Sequence, residues 1–248
     1  MNFALPTLVL LILLIPGFLF RRFYYSGEFS KEYFKQNFTD LILPSLILSG
    51  IINTFCYTAI YFLGYHSEAV PSVAVLLSGT TDSIRVSSAI QTLFLNLYPG
   101  LSYFLFTGVM GAVTGFLSKY LVRTYKLDRK YKLFRFQNEW HYLFSGEILD
   151  FPDIKGSAHT ADFTFVDALV NTSEGSVIYT GCLSAYVLSS STGIDRLYLS
   201  DTRRRYLKDD VKQNGQERYY EMPGEFFVLF ANQIINLHIS YYSVDPES

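Results

Sequence analysis

The chain has 248 residues, of which half are hydrophobic, so it could hold two small domains or a membrane domain followed by a soluble one. Charges are few and grouped up to Ser118 but recur every few positions from Lys119 onward. Residues 1–132 carry eleven Lys and Arg against six Asp and Glu, whereas residues 133–248 carry nine against sixteen. We therefore expect a basic membrane half and an acidic soluble half, and the acidic balance argues against broad nucleic-acid affinity.

Three uncharged segments are long enough to cross a membrane, which takes about 20 mostly apolar residues. The first lacks a positive n-region and a small-residue cleavage site, so we interpret it as a retained anchor rather than a signal peptide. Pro16 and Gly17 should kink it. The predicted transmembrane domain covers residues 1–122, with helices at about residues 3–20, 41–64 and 98–118.

Lys and Arg residues concentrate in two places, between residues 21 and 35 and between residues 119 and 135. The loop between the second and third helices has only Arg85. Because positively charged short loops stay in the cytoplasm, the N-terminus is predicted outside and the C-terminal domain in the cytoplasm of a bacterial inner membrane. Residues 123–136 form a basic linker, whose charges the simplest interpretation treats as membrane anchors.

Small and uncharged polar residues recur on the second and third helices. Small residues let helix backbones approach closely, and polar residues at membrane depth face protein or water because lipid offers them no partner. Two interpretations stay open: contacts between helices of one subunit, or a surface that faces a neighbouring subunit or a shared pore. The candidate residues for a pore or for helix packing are Asn53, Thr107, Gly108, Gly111, Thr114 and Gly115.

The loop between the second and third helices has an unusual pattern. Residues 70–77 are apolar, residues 78–83 are rich in Gly, Ser and Thr, and residues 84–97 are amphipathic. This pattern indicates a re-entrant or interfacial element. A ring of Asp82 in an oligomer could bias ion passage, although a solvated turn also explains this residue.

Residues 137–248 are predicted to form a cytosolic, β-rich, ligand-binding domain. Short alternating segments separated by turn residues indicate five strands, the second of which should bend at Gly181. Five short strands with one bent long strand are typical of a small β-barrel of the SH3 or Sm type. The fold class is thus an α+β membrane protein, in which three N-terminal transmembrane helices precede a small SH3/Sm-like barrel.

One charge cluster stands out in this domain. Three adjacent arginines with a nearby aromatic residue could bind phosphates and stack on a base, and loop charges paired with nearby aspartates are the alternative. The candidate ligand-binding residues are Arg203, Arg204, Arg205, Tyr206 and Lys208. We find no catalytic or metal-binding motif and predict neither an enzyme nor a cofactor.

Two segments carry a resemblance to known proteins. The run Ile15–Arg22 and the strand Ile194–Asp201 together resemble an uncharacterised family of small prokaryotic membrane proteins. The layout is similar to that of the Hailong-type anti-phage membrane effector, which implies a channel gated by a cytoplasmic domain that binds a DNA oligomer. It also resembles the small mechanosensitive channel, with three helices followed by an Sm-like barrel.

Together these features predict a homo-oligomeric membrane effector. The expected function is an ion channel in bacterial anti-phage defence, gated by an oligonucleotide or nucleotide. Its expected partners are further copies of itself, membrane lipid, that ligand and a nucleotidyltransferase that supplies it. Two alternatives stay open: a non-conducting adaptor whose barrel binds a partner protein, and a mechanosensitive-type channel.

Overall fold

The computed structural model describes residues 4–30, 37–64, 69–136, 138–156, 158, 161–189, 193–209 and 219–244. The chain divides into two compact units, Met1–Tyr125 and Lys126–Ser248. We call them the helical unit and the β unit. Phe3, the first residue of the predicted helix 3–20, and the basic residues Lys31 and Lys35 lie outside the described residues.

The helical unit contains five α-helices and one 3-10 helix, Gly27–Phe29, within its described residues. The α-helices are α1 (Ala4–Tyr24), α2 (Phe38–Phe62), α3 (Ala69–Leu77), α4 (Ser83–Leu95) and α5 (Leu97–Thr124). At about 1.5 Å per residue, α1 is about 32 Å long and α2 and α5 are longer, whereas a hydrocarbon core is about 30 Å thick. These three helices are long and apolar enough to span a membrane, as the sequence predicted.

Prolines inside α1 and α2 explain why several polar side chains donate hydrogen bonds to backbone carbonyls. Pro44 has no N–H, so the carbonyl of Asp40 loses its helical donor; the buried guanidinium of Arg21 donates to that carbonyl over 2.7 Å. One turn before Pro16, the carbonyl of Leu13 accepts hydrogen bonds from Ser49 and Asn53 of α2. Neighbouring helices therefore satisfy backbone groups near both prolines, as membrane helices with internal prolines require.

The predicted re-entrant or interfacial element forms a helical hairpin. The apolar α3 and the amphipathic α4 are joined by a turn that ends at Asp82. The Asp82 carboxylate caps α4, since it accepts hydrogen bonds from the backbone N–H groups of Ile84 and Arg85. At about 14 Å, α3 is too short to cross a bilayer.

The β unit begins with two short helices, α6 (Leu127–Lys130) and α7 (Glu139–Phe144), which precede an antiparallel sheet. Its strands run in the order β4-β3-β2-β1-β6, and β5 pairs with β3. Their bounds are β1 (Phe163–Thr172), β2 (Gly175–Leu188), β3 (Ile194–Tyr206), β4 (Tyr220–Glu221), β5 (Phe227–Phe230) and β6 (Ile234–Tyr242).

The connection between β5 and β6 shows that this sheet is strongly curved. Phe230 of β5 lies, through Arg196, in register with Val187 of β2, whereas Ile234 of β6 lies, through Val170, in register with Val177 of β2. Ten residues of strand would separate these positions by about 33 Å on a flat sheet, yet the four steps from residue 230 to 234 reach at most about 14 Å. The sheet must therefore bend between them.

Strand β2 has three register shifts against β3, and the first lies where the sequence predicted a bend. The register of β2 against β3 shifts between Thr180 and Cys182, around Gly181. A Cβ atom on Gly181 would lie 2.9 Å from the carbonyl oxygen of Ser200, so only glycine fits there. Within the described residues the sheet is not closed, because β5 and β6 do not pair with each other.

The core of the β unit lies on one face of this curved sheet. Alternate residues of β1 are buried there, and α7 covers them with Phe144 and Trp140. The aromatic rings of these two residues stack with centroids 5.4 Å apart. The fully buried part of the core consists of Phe144, Val166, Ala168, Val170, Ile194, Leu197, Leu199 and Leu229.

Candidate functional site

The three predicted ligand-binding arginines lie in strand β3 rather than in a loop. Arg203, Arg204 and Arg205 pair with Thr180, Tyr179 and Ile178 of β2. Because successive strand residues point to opposite faces, Arg204 lies on one face and its two neighbours on the other. The sequence triplet is therefore two separate basic groups.

Arg203 belongs to a polar row that crosses the outer face of the sheet, opposite the core. Its neighbours across the strands are Thr180, Asp167, His238 and Glu221. Asp167 accepts a hydrogen bond from the Thr180 hydroxyl and lies 3.1 Å from His238 Nδ1, and Arg203 lies 3.6 Å from Glu221. The row carries both signs of charge, so its basic group is partly neutralised.

Arg205 shares this outer face. Its guanidinium lies over the Tyr219 ring, 5.6 Å from the ring centroid. The sequence prediction missed Asp167, Thr180 and His238 as neighbours of the arginines. Their positions in alternating strands assign a face to each of them, but the strand register that brings them together cannot be read from the sequence.

Arg204, Tyr206 and Lys208 form the second group, at the end of β3. The Tyr206 hydroxyl donates to the Glu174 carboxylate over 3.1 Å, and the Lys208 ammonium donates to the Glu174 carbonyl over 2.7 Å. The hydrogen bond to Glu174 raises the pKa of Tyr206. Arg204 lies over the Tyr206 ring. Tyr206 and Lys208 thus contact Glu174 in the β1–β2 turn, and Arg204 contacts Tyr206.

The predicted basic linker contributes to a second charge cluster in the β unit. Lys126 and Arg129 contact the Asp150 carboxylate at 3.0 and 2.6 Å, and Arg129 also contacts Glu147 at 2.9 Å. Burial by itself raises the pKa of Asp150, but the Ala158 amide and the two cations outweigh it and hold the pKa well below its usual range. This cluster joins Lys126 and Arg129, at the start of the β unit, to the segment Glu147–Asp150.

In the helical unit, the predicted packing glycines contact α1 of the same chain. Gly111 lies against the Pro16 carbonyl and Gly115 against the Phe20 carbonyl, and a Cβ atom at either position would overlap that carbonyl oxygen. Gly108 is also buried, with more space. The structure thus places these glycines between helices of one chain, which matches the first of the two interpretations.

The predicted polar residues also make their hydrogen bonds within one chain. Asn53 binds the Leu13 carbonyl of α1 and accepts a hydrogen bond from the Tyr103 hydroxyl of α5, so it joins three helices. Thr107 and Thr114 donate to carbonyls of their own helix, those of Phe104 and Met110. The sequence prediction missed Tyr103, because its contact with Asn53 depends on how α2 packs against α5.

A cavity of about 1040 Å³ lies between α1, α2, α3 and α5. One face of α3 forms much of its apolar wall, and the α1 residues that line it, Ile12 to Pro16, are at the middle of that helix. None of the described residues that line it is charged. Its polar lining residues are Asn53, Thr54, Tyr57, Asn96, Tyr98, Ser102, Tyr103 and Thr107.

No protein family, curated protein or solved structure was found to match this chain. Among the described residues, no group of three or more His, Cys, Asp or Glu side chains could hold a metal ion.

Proposed function

We propose that the protein is a homo-oligomeric membrane effector whose helical unit conducts ions or small solutes and whose β unit controls that conduction by binding an anionic ligand. The cavity of the helical unit carries this proposal. It combines uncharged polar side chains at membrane depth with a helix, α3, that is too short to cross a bilayer. Short helices and polar groups at this depth are typical of proteins that line a solvent pathway.

The shape of the β unit supports a ligand-binding role. Its strand order and the three-residue connection between β5 and β6 support a small barrel of the SH3 or Sm type, a class of fold that hosts many binding functions. The two basic groups of β3 are the proposed ligand contacts: Arg203 and Arg205 on the outer face, and Arg204, Tyr206 and Lys208 at the strand end. The layout shared with the Hailong-type effector extends this proposal to an oligonucleotide or nucleotide ligand and to bacterial anti-phage defence.

A specific observation favours a second function, that of a non-conducting adaptor. The glycines and most polar residues of α1, α2 and α5 are used for packing within one chain, and the arginines of β3 already contact protein groups. An adaptor needs only an anchored helical unit and a β unit that binds a partner protein.

Ion flux through reconstituted liposomes distinguishes these functions. We expect the wild type to conduct and Thr54→Leu to reduce the flux, because Thr54 lines the cavity. Thr58→Leu is the matched control, one turn further along α2, exposed and outside the cavity wall. For the ligand, Arg203→Glu with Arg205→Glu is compared with Arg204→Glu, and each lost charge-assisted contact should weaken binding by about tenfold or more.

Two results would contradict the proposal in different ways. A wild type that conducts under no condition, while it still captures a partner protein, would leave the adaptor ahead. Unchanged flux and unchanged nucleotide content in all arginine variants would remove β3 from the gating mechanism while leaving conduction intact.

A further inference from the structure

We propose that the cavity of the helical unit binds the acyl chains of one membrane glycerolipid, whose ester carbonyls accept hydrogen bonds from hydroxyl groups of the cavity wall. This inference concerns the same cavity as the proposed function, so the lipid must leave the cavity before ions or solutes can pass through it.

The first argument is the chemistry of the wall. Apolar side chains dominate it, above all the α3 residues Ala69, Val70, Val73, Ala74 and Leu77. Apolar walls favour hydrocarbon over water, and no charged side chain lies in the described wall to pair with an ionic group at that depth. The occupant is therefore neutral and mainly hydrocarbon where it meets α3.

The second argument is the presence of hydroxyl groups without a partner. Thr54, Tyr57 and Ser102 line the cavity, and none of their hydroxyl groups makes a hydrogen bond within the described part of the chain. A polar group at membrane depth without a partner is costly. Because hydroxyls can donate, an occupant that carries acceptor oxygens beside its hydrocarbon satisfies them.

The third argument is access from the bilayer. Tyr98 and Phe106 line the cavity and are also 83% and 46% exposed, so the cavity is open to its surroundings. Its volume of about 1040 Å³ is at the upper end of ligand pockets, which measure about 300 to 1,000 Å³. In a bilayer, the abundant molecule with long neutral chains and ester acceptors is a glycerolipid.

The test uses the full-length chain purified in a mild detergent. Native mass spectrometry should find one retained glycerolipid per chain. Reconstitution with a phosphatidylcholine that carries a photoreactive acyl chain should label the cavity-lining segments of α2, α3 and α5. Val73→Trp, which fills the cavity, should lower both signals by about tenfold. Val109→Trp on the exposed surface of α5 is the matched control and should change neither.

A second variant keeps the test decisive if Val73→Trp misfolds. Thr54→Val with Ser102→Ala keeps the size of the wall but removes two donors, and it should reduce lipid retention while the protein elutes as the wild type does. The inference is overturned if no lipid is retained, if both Trp variants label equally, or if the wall crosslinks to a second copy of the chain. Flux is measured on the same samples, so a lipid-free conducting protein would refute the lipid site and leave the proposed function standing.

Discussion

Asp150 is the residue at which burial and charge pairing oppose each other most clearly. Its side chain is 14% exposed and contacts two cations, Lys126 and Arg129. An ion pair of this kind contributes little compared with a well-packed apolar substitute, but the loss of one partner leaves a buried charge uncompensated, which typically costs about 3–5 kcal/mol. The value of the Asp150 carboxylate to the β unit therefore depends on its ionisation.

This dependence predicts a pH effect on stability. The folded-state pKa of Asp150 is below the unfolded value of about 3.9. Its contribution is therefore fully present above about pH 4 and is lost as the pH falls through the folded pKa. We expect Asp150→Asn to lower the free energy of unfolding by about 1 to 3 kcal/mol at pH 7, because Arg129 keeps its contact with Glu147, and the difference from wild type should shrink on acidification.

The measurement is urea unfolding of the full chain in detergent, followed by the fluorescence of Trp140. This is the single tryptophan of the protein and it packs in the core of the β unit. Asp153→Asn is the control, because Asp153 is exposed and makes no ion pair among the described residues. A difference from wild type that stays constant between pH 7 and pH 3 would show that the ion pairs of Asp150 are not responsible.

Residue roles were only partly predictable from the sequence. The sequence identified the arginines and the membrane polar residues, because unusual residue types are visible in their local context. It could not give their partners: Asn53 contacts Leu13 and Tyr103, which are 40 and 50 positions away. Asp150 could not be singled out, because nothing nearby in the sequence marks its pairing with Arg129.

At the scale of elements, the helix-packing glycines of α5 allow the most direct comparison. Gly111 touches the α1 backbone, whereas a methyl group added to Gly100 on the same helix would have no atom within 4 Å and one added to Gly108 would have its nearest neighbour at 3.4 Å. Replacing glycine by alanine at each of these sites therefore separates the helix propensity of the residue from the effect of close packing on stability. Alanine is the better helix former by about 1 kcal/mol.

We therefore predict opposite outcomes for one substitution along α5. Gly111→Ala should destabilise the helical unit by about 1 to 3 kcal/mol, because the added methyl group must push α1 away. Gly100→Ala and Gly108→Ala should be neutral or stabilising. Thermal midpoints in detergent, read by size-exclusion chromatography after heating, provide the measurement. Equal midpoints for all three variants would mean that α1 and α5 are not in close contact in the membrane.

The elements themselves were largely predictable. The predicted helices at 41–64 and 98–118 correspond to α2 and α5, and the predicted β-rich half contains the sheet. Uncharged runs and the alternation of apolar and polar residues are local patterns, so they can be recognised in the sequence without knowledge of the fold. The extent of β3 was not predictable, because its charged second half continues the strand only through pairing with β2 and β4.

At the scale of the whole molecule, four of the five described basic residues of the helical unit lie at one end. Arg21 donates to carbonyls at the start of α2, and the Lys119 ammonium near the end of α5 donates to the Ser26 carbonyl over 2.7 Å. Phe29 is buried there, under Lys119 and Arg123. The described residues 69–96, at the other end, contain only Arg85 as a basic residue. The charge asymmetry found in the sequence is therefore also an asymmetry of the folded unit.

This asymmetry predicts the orientation of the protein in the membrane. Segments rich in Lys and Arg remain in the cytoplasm, so the end with Arg21 and Lys119 should be cytoplasmic and α4 should be outside. The β unit follows the cytoplasmic end of α5 in the chain and should share that side.

In a Cys182→Ser background, Ser83→Cys reports on α4 and Asn232→Cys on the β unit, and both sites are exposed. The remaining thiol, Cys56, is buried. A membrane-impermeant maleimide should label Ser83→Cys in intact spheroplasts and Asn232→Cys only after permeabilisation. The reverse pattern would place the basic end outside, and the β unit could then respond only to an extracellular ligand.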